Sequence, residues 1–220
     1  MYKTLRTATL ATLLVGAPVL ADPAGLTGWY ASAGIGVGNL SNSSLTYSDG
    51  ANTDTVATSF DTSFAGGGSV GYGFSNGFTL EGEIMYRRNE FGAVSIPSLG
   101  DFTEGDFASL GFGVNLLYRF PIGSSGKWSG YAGPGYVWLQ EIDIDFDDAG
   151  QQEISFETDD SGLQFKFGGR YDFSDRWFAE AGATYFSVDG VRMELPTEPT
   201  QTLTSDYDHW TASIAVGLHF

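Results

Sequence analysis

The sequence predicts an all-β fold, an eight-stranded antiparallel up-and-down transmembrane β-barrel, and three observations predict it. Eight segments alternate in hydropathy with a period of two. Each segment carries an aromatic residue at one particular end, and the connections between segments alternate between short and long.

In chain order the segments run Trp29 to Val37, Phe64 to Phe74, Phe78 to Tyr86, Ala108 to Phe120, Trp128 to Trp138, Leu163 to Phe173, Trp177 to Tyr185 and Trp210 to Phe220. On the parity of these end residues every position is apolar or glycine, and none is charged. The opposite parity is small or polar: Ser32, Gly34 and Gly36 on the first segment, Glu81, Glu83 and Arg87 on the third, Lys166 and Arg170 on the sixth. Successive strand residues point to opposite faces, so one face is expected to meet hydrocarbon and the other a polar interior. The segments are 9 to 13 residues long, close to the roughly 9–11 that a tilted strand needs to cross the hydrocarbon.

A soluble sandwich also alternates. The aromatic residues separate the two readings: Trp29, Phe74, Phe78, Phe120, Trp128, Phe173, Trp177 and Phe220 all fall on one rim if strands run alternately up and down. That ring is an interfacial girdle, and Tyr86, Trp138, Tyr185 and Trp210 supply a partial one at the other rim. The connections agree. Ser75 to Gly77 and Ser174 to Arg176 are tight turns and Pro121 to Lys127 a modestly longer one, whereas the other four connections are each about twenty residues. These are expected to be short periplasmic turns and four long extracellular loops. An open edge in lipid would leave backbone groups unpaired at several kcal/mol each, so the eight strands must close. Pro134 lies inside the fifth segment, where a bulge or bend is expected.

The N-terminus reads as an export signal spanning residues 1–21. Lys3 and Arg6 precede an uncharged Ala/Leu-rich stretch from Thr7 to Leu20, with Val19 and Ala21 at the cleavage site. Residues 22–220 are then one barrel domain. The leader holds two of the ten basic residues and none of the 27 acidic ones, so cleavage moves the net charge from −17 to −19. That charge argues against nucleic acid, which needs a basic footprint. Cysteine is absent from the sequence, so neither disulfides nor thiolate metal sites exist. No run of 18 apolar residues follows the leader, so spanning helices are excluded.

With these features the sequence resembles the small outer-membrane β-barrel family that includes the OmpA transmembrane domain and the opacity proteins. The most specific element is the ending, in which Trp210, Ala212, Ile214, Val216, Leu218 and Phe220 alternate up to a terminal phenylalanine. In that family such an ending looks like the signal read by the barrel-assembly machinery. The resemblance implies location in the cell outer membrane and lipid and lipopolysaccharide as surroundings. The peptidoglycan-binding domain of full-length OmpA-type proteins is expected to be absent, the chain ending at Phe220.

An eight-stranded barrel is just wide enough for side chains to fill. Arg87, Arg119, Lys166 and Arg170 have inward parity, as do Glu81, Glu83, Glu141, Asp172 and Glu180. If Phe173 pairs with Trp177 across the turn, Arg170 faces Glu180 directly. Glu81, Glu83, Lys166, Arg170 and Glu180 are therefore expected to form a lumen salt-bridge cluster, and the protein to have a structural or surface-interaction role. The alternative is a narrow porin-like channel for ions or small solutes.

No catalytic set is expected. Asp208, His209 and Ser213 have hydrolytic residue types, but Asp208 and His209 are neighbours on a strand and point to opposite faces. The acidic positions Asp143, Asp145, Asp147, Asp148, Glu153, Glu157, Asp159 and Asp160 fall in a long connection. They do not make a calcium loop: Asp148 stands where glycine is needed and Ile154 at the twelfth position. A solvated acidic face is expected, with no cofactor, no metal and no recognised motif for an extracellular ligand.

Overall fold

The computed structural model describes residues 27–41, 43–147 and 154–220. The expected export signal, residues 1–21, and the acidic residues Asp148 and Glu153 lie outside the described residues. Twelve strands are present among the described residues. Eight form the ring: β1 (Gly28–Leu40), β4 (Thr62–Gly73), β5 (Phe78–Phe91), β8 (Glu104–Ile122), β9 (Trp128–Asp147), β10 (Ile154–Asp172), β11 (Trp177–Leu195) and β12 (Glu198–His219). Each pairs antiparallel with the next, and β12 pairs back onto β1 from Tyr30↔His219 to Leu40↔His209, so the ladder closes. The closing strand is the alternating C-terminal segment itself.

At one end the connections are tight. Phe74 N donates to Phe78 O at 2.7 Å, with Gly77 at φ +88°, a value glycine alone adopts without strain. Phe173 N donates to Trp177 O at 3.2 Å. The girdle aromatics Trp29, Phe74, Phe78, Phe120, Trp128, Phe173 and Trp177 all stand exposed at this end. Phe220 joins them, its N bonded to Trp29 O at 2.9 Å. Above them the outward parity is apolar, with Ile35, Val70, Leu80, Val114, Leu116, Phe165, Phe167, Ile214 and Val216 exposed.

At the other end the expected long loops are largely strand. β8 to β12 are 19 to 22 residues long, well beyond what a hydrocarbon layer requires. β2 (Ser43–Ser48) and β3 (Thr53–Thr58) form a hairpin that adds to β12 through Thr204↔Thr46 and its neighbours, and β6 (Val94–Ile96) pairs with β7 (Gly100–Phe102). Extending the ladder satisfies backbone groups that an open loop would leave to water.

Several register shifts reshape this end. Leu110 pairs with Glu141 but Gly111 with Leu139, so Gln140 is an extra residue in β9. Past it the parity flips: Ile142, Ile144 and Phe146 turn in and are buried, and Glu141 turns out to solvent. The inward placement expected for Glu141 is thereby corrected, because a one-residue bulge exchanges the two faces. A second bulge lies between Val188 and Val191 of β11, where Gly190 has φ +64°. Pro134 causes no bulge. The register runs unbroken past it, from Asn115↔Gly135 to Tyr118↔Ala132, and only the ladder contacts of Leu116 and Leu117 drop out, opposite the missing N–H.

The interior divides in two. Near the short turns it is polar. Beyond the second rim it is a dry cluster that includes Leu40, Leu45, Phe91, Phe107, Ile142, Phe156, Phe186, Met193, Leu203 and Tyr207. Each side chain so buried contributes about 1.5–3 kcal/mol.

Candidate functional site

Glu81 and Glu83 project inward from β5 and Lys166 from β10 on the opposite wall. Lys166 Nζ lies 2.6 Å from Glu81 Oε1 and 2.6 Å from Glu83 Oε2. Glu81 also accepts from the Tyr30 hydroxyl at 2.6 Å, Asn115 Nδ2 at 3.1 Å and Ser69 Oγ at 3.2 Å. Gln164 Nε2 donates to Glu83 Oε1 and, at 2.6 Å, to Asn115 Oδ1.

One layer nearer the short turns, β10 and β11 pair Arg170 with Glu180. Arg170 Nη2 and Nε each lie 2.7 Å from Glu180 Oε1, and Arg119 Nη2 approaches the same oxygen at 3.6 Å. Tyr30 joins the layers. Its ring carries Arg119 and Arg170 on its faces, the guanidinium carbons 4.6 and 4.4 Å from its centre, and its hydroxyl reaches Glu81. All five residues of the expected cluster are thus brought into contact, directly or through Tyr30.

Sequence reading missed Tyr30, Asn115, Gln164 and Arg119 as members. The signal for them was the inward glycines. A Cβ on Gly71 would stand 2.5 Å from the Tyr30 ring and hydroxyl, and one on Gly113 would stand 3.0 Å from Glu83. These positions are bare because opposing side chains occupy the space. The lumen keeps a cavity of about 70 Å³, lined by Ser32, Ser69, Glu83, Tyr131, Thr184 and Ser213 among others.

Asp172 lies at the short-turn mouth, 2.9 Å from His219 Nε2. The residues Asp208, His209 and Ser213 do not assemble. Asp208 bonds Tyr185 and Ser187 on the outer side, whereas the His209 nitrogens lie 3.0 Å from Ser63 Oγ and 3.0 Å from Thr211 Oγ1 inside. The outer face of the long end is acidic: Asp106 stands opposite Asp145 and Asp143 opposite Glu157. Burial, together with Asp145, Glu141, Asp106 and Glu157, pushes the Asp143 carboxyl up to about 7.

A closed ring of eight strands with an apolar exterior and a polar interior is the architecture of a membrane barrel. The family model for the outer membrane protein beta-barrel domain matches residues 7–220. The chain belongs to this family. An outer membrane protein of Gluconacetobacter diazotrophicus is 30% identical over 218 residues, covering 92% of this chain and 52% of its own length. The chain therefore spans about half the length of that curated relative. Among solved structures, OprG from Pseudomonas aeruginosa is similar with a TM-score of 0.65 at 18% identity, covering 90% of this chain and 99% of that one. The outer membrane protein AlkL in lipid bilayers gives 0.52 at 19% identity, covering 94% and 97%. At these identities the two structures establish the fold. This outer-membrane barrel accordingly sits with its exposed apolar belt in hydrocarbon, its short turns towards the periplasm and its extended strands outside the cell.

Proposed function

We propose that the barrel is a closed structural or surface-presenting protein whose lumen does not conduct. The observation that carries this is the double occlusion of the tube. Within the membrane, Lys166 bridges two nearly buried carboxylates from the opposite wall. Outside it, Leu45, Ile142, Phe156, Phe186 and Leu203 fill the same tube and are wholly buried. An ion crossing would have to break the first set of contacts and desolvate in the second, each at several kcal/mol.

The acidic outer strands face the medium, where lipopolysaccharide is the neighbouring polyanion. Like charges there keep the extension clear of the lipid headgroups. The alternating strand ending at Phe220 is the segment offered to the barrel-assembly machinery, and it is the strand whose pairing with β1 completes the ring. No enzymatic role is proposed, since His209 has hydroxyl partners alone on its two nitrogens.

Planar-bilayer recording in concentrated potassium chloride tests the reading. The purified barrel is expected to give no steady current above the bare bilayer. A large, steady conductance refutes the closed lumen and favours the narrow channel instead.

A further inference from the structure

Arg87 is the lumen cation for which the described protein atoms supply no counter-charge. It lies on the inward face of β5 and is fully buried, and its Nε, Nη1 and Nη2 meet no hydrogen-bond acceptor among the described residues. Its guanidinium carbon stands 5.3 Å from the centre of the Phe186 ring, a contact that offsets part of the desolvation but neutralises nothing. Two residues on, along the same face, Asn89 is equally buried, and neither its Oδ1 nor its Nδ2 has a partner among the described residues. Buried polar groups are ordinarily hydrogen-bonded, so two adjacent ones left open mark a place built to hold something.

The surroundings define what that is. Register sets Arg87 between Ala65 of β4 and Ser109 of β8, and Asn89 beside Phe107. Ser109 Oγ is 2.9 Å from the Tyr207 hydroxyl, and His209 is held between Ser63 and Thr211. Carboxylates near this level point outward: Asp61 and Glu90 are exposed, and Asp208 bonds Tyr185 and Ser187. The ion pairs give the same answer. Of the inward cations, Lys166 engages Glu81 and Glu83, and Arg119 and Arg170 engage Glu180. Arg87 makes no ion pair among the described residues, so its charge is left without a partner. A guanidinium does not shed its proton in a protein, so the balance must come from a ligand.

We propose that Arg87 and Asn89 form a buried binding site for one small monovalent anion of halide size. Its charge follows from the buried, unpaired guanidinium. Its size follows from the wholly buried Phe107, Phe186 and Tyr207 that crowd this level of the tube. The guanidinium and the Asn89 amide supply the donors. The lumen cavity ends against Ala65, Met85 and Thr211, the residues flanking Arg87 and His209, so an ion held there borders the free space of the barrel.

The test uses the barrel purified from membranes in detergent. Chloride is exchanged for gluconate at constant ionic strength, and unfolding is followed in urea. Above the dissociation constant, each tenfold rise in chloride is expected to raise the folded-to-unfolded ratio about tenfold, and Arg87→Met is expected to abolish that dependence. Crystals grown in bromide should show an anomalous peak beside the Arg87 guanidinium and Asn89 Nδ2. Stability of the unaltered protein that ignores chloride, a dependence undiminished in Arg87→Met, or bromide crystals with water alone at Arg87 would each overturn the proposal. If Arg87→Met does not fold, the bromide experiment on the unaltered protein decides.

Discussion

Replacing Lys166 by Met tests the occluded lumen most directly. The ammonium lies 2.6 Å from oxygens of both Glu81 and Glu83, whose side chains are 4% and 3% exposed. Removing it leaves two carboxylates in a polar but nearly waterless space, still hydrogen-bonded to Tyr30, Asn115 and Gln164 but with no cation in contact. Deleting one partner of a buried pair costs about 3–5 kcal/mol, because the other charge stays behind. With an m-value of about 2 kcal/mol per M, the midpoint of urea unfolding falls by about 2 M. Arg88 and Asp106 make the internal control. That pair is 2.8 Å apart but 49% and 18% exposed, and Arg88→Met is expected to cost under about 1 kcal/mol. Replacing all three charges together, Lys166→Met with Glu81→Gln and Glu83→Gln, is expected to recover most of the loss, since an apolar or neutral replacement of a whole buried ion set is often close to neutral. Unfolding is read from tryptophan emission in detergent micelles. If Lys166→Met loses no more than Arg88→Met, water reaches the two carboxylates and the plug is not a seal.

Gly71→Ala places a methyl 2.5 Å from the Tyr30 ring, and the overpacking is expected to lower stability by about 1–3 kcal/mol in the same assay. The Asp143 carboxyl is raised from 3.8 to about 7 by burial and by its acidic neighbours, so between those values the folded state holds a proton that the unfolded state releases. Stability is therefore expected to fall as pH rises from about 4 to about 7. Asp143→Asn should flatten that part of the profile, and an unchanged slope would exclude the residue. Inserting one alanine after Gln140 moves the rest of β9 on by one position, which sends Ile142, Ile144 and Phe146 outward. Hydrogen exchange should then quicken in the extracellular strands while the membrane-spanning ladder stays protected.

The membrane-spanning half of the fold was legible in the sequence because lipid imposes one rule on every strand: alternate residues must be apolar. Trp29, Ile35, Phe165 and Val216 obey it without exception and stand exposed. The pairing of Arg170 with Glu180 was legible for a related reason, since a three-residue turn fixes the register on both sides of it. The extracellular half was read as loop because hydropathy inverts there, and on β9 the parity shifts as well. Phe91, Phe107 and Tyr207 continue the inward parity of their strands, but with apolar side chains where the spanning part has polar ones. Glu141 was misplaced by a single bulged residue, which leaves no mark in composition. Tyr30 escaped notice because a lone tyrosine on a polar face gives no cue to its role. Its place becomes visible only when Gly71 on the neighbouring strand is recognised as the space it fills.

The two halves of the tube solve opposite solvent problems with one ladder. In hydrocarbon the outer face must be apolar, so polar groups are confined inside, and a narrow interior obliges them to pair with one another. Above the headgroups the outer face must be hydrated, as it is through Glu90, Asp106, Asp143 and Asp145, and the interior is free to be an ordinary apolar core. β5 makes the change by inverting composition, from outward Tyr86 to outward Arg88 and from inward Glu83 to inward Phe91. β9 makes it by inserting Gln140. The boundary between the two interiors is the least forgiving level of the molecule, since a polar side chain there has the ionic cluster on one side and a dry core on the other. Arg87, Asn89 and His209 occupy that level. His209 is satisfied by Ser63 and Thr211, whereas Arg87 and Asn89 find no protein partner among the described residues, which is why an external anion is assigned to that level and not to the plug beneath it.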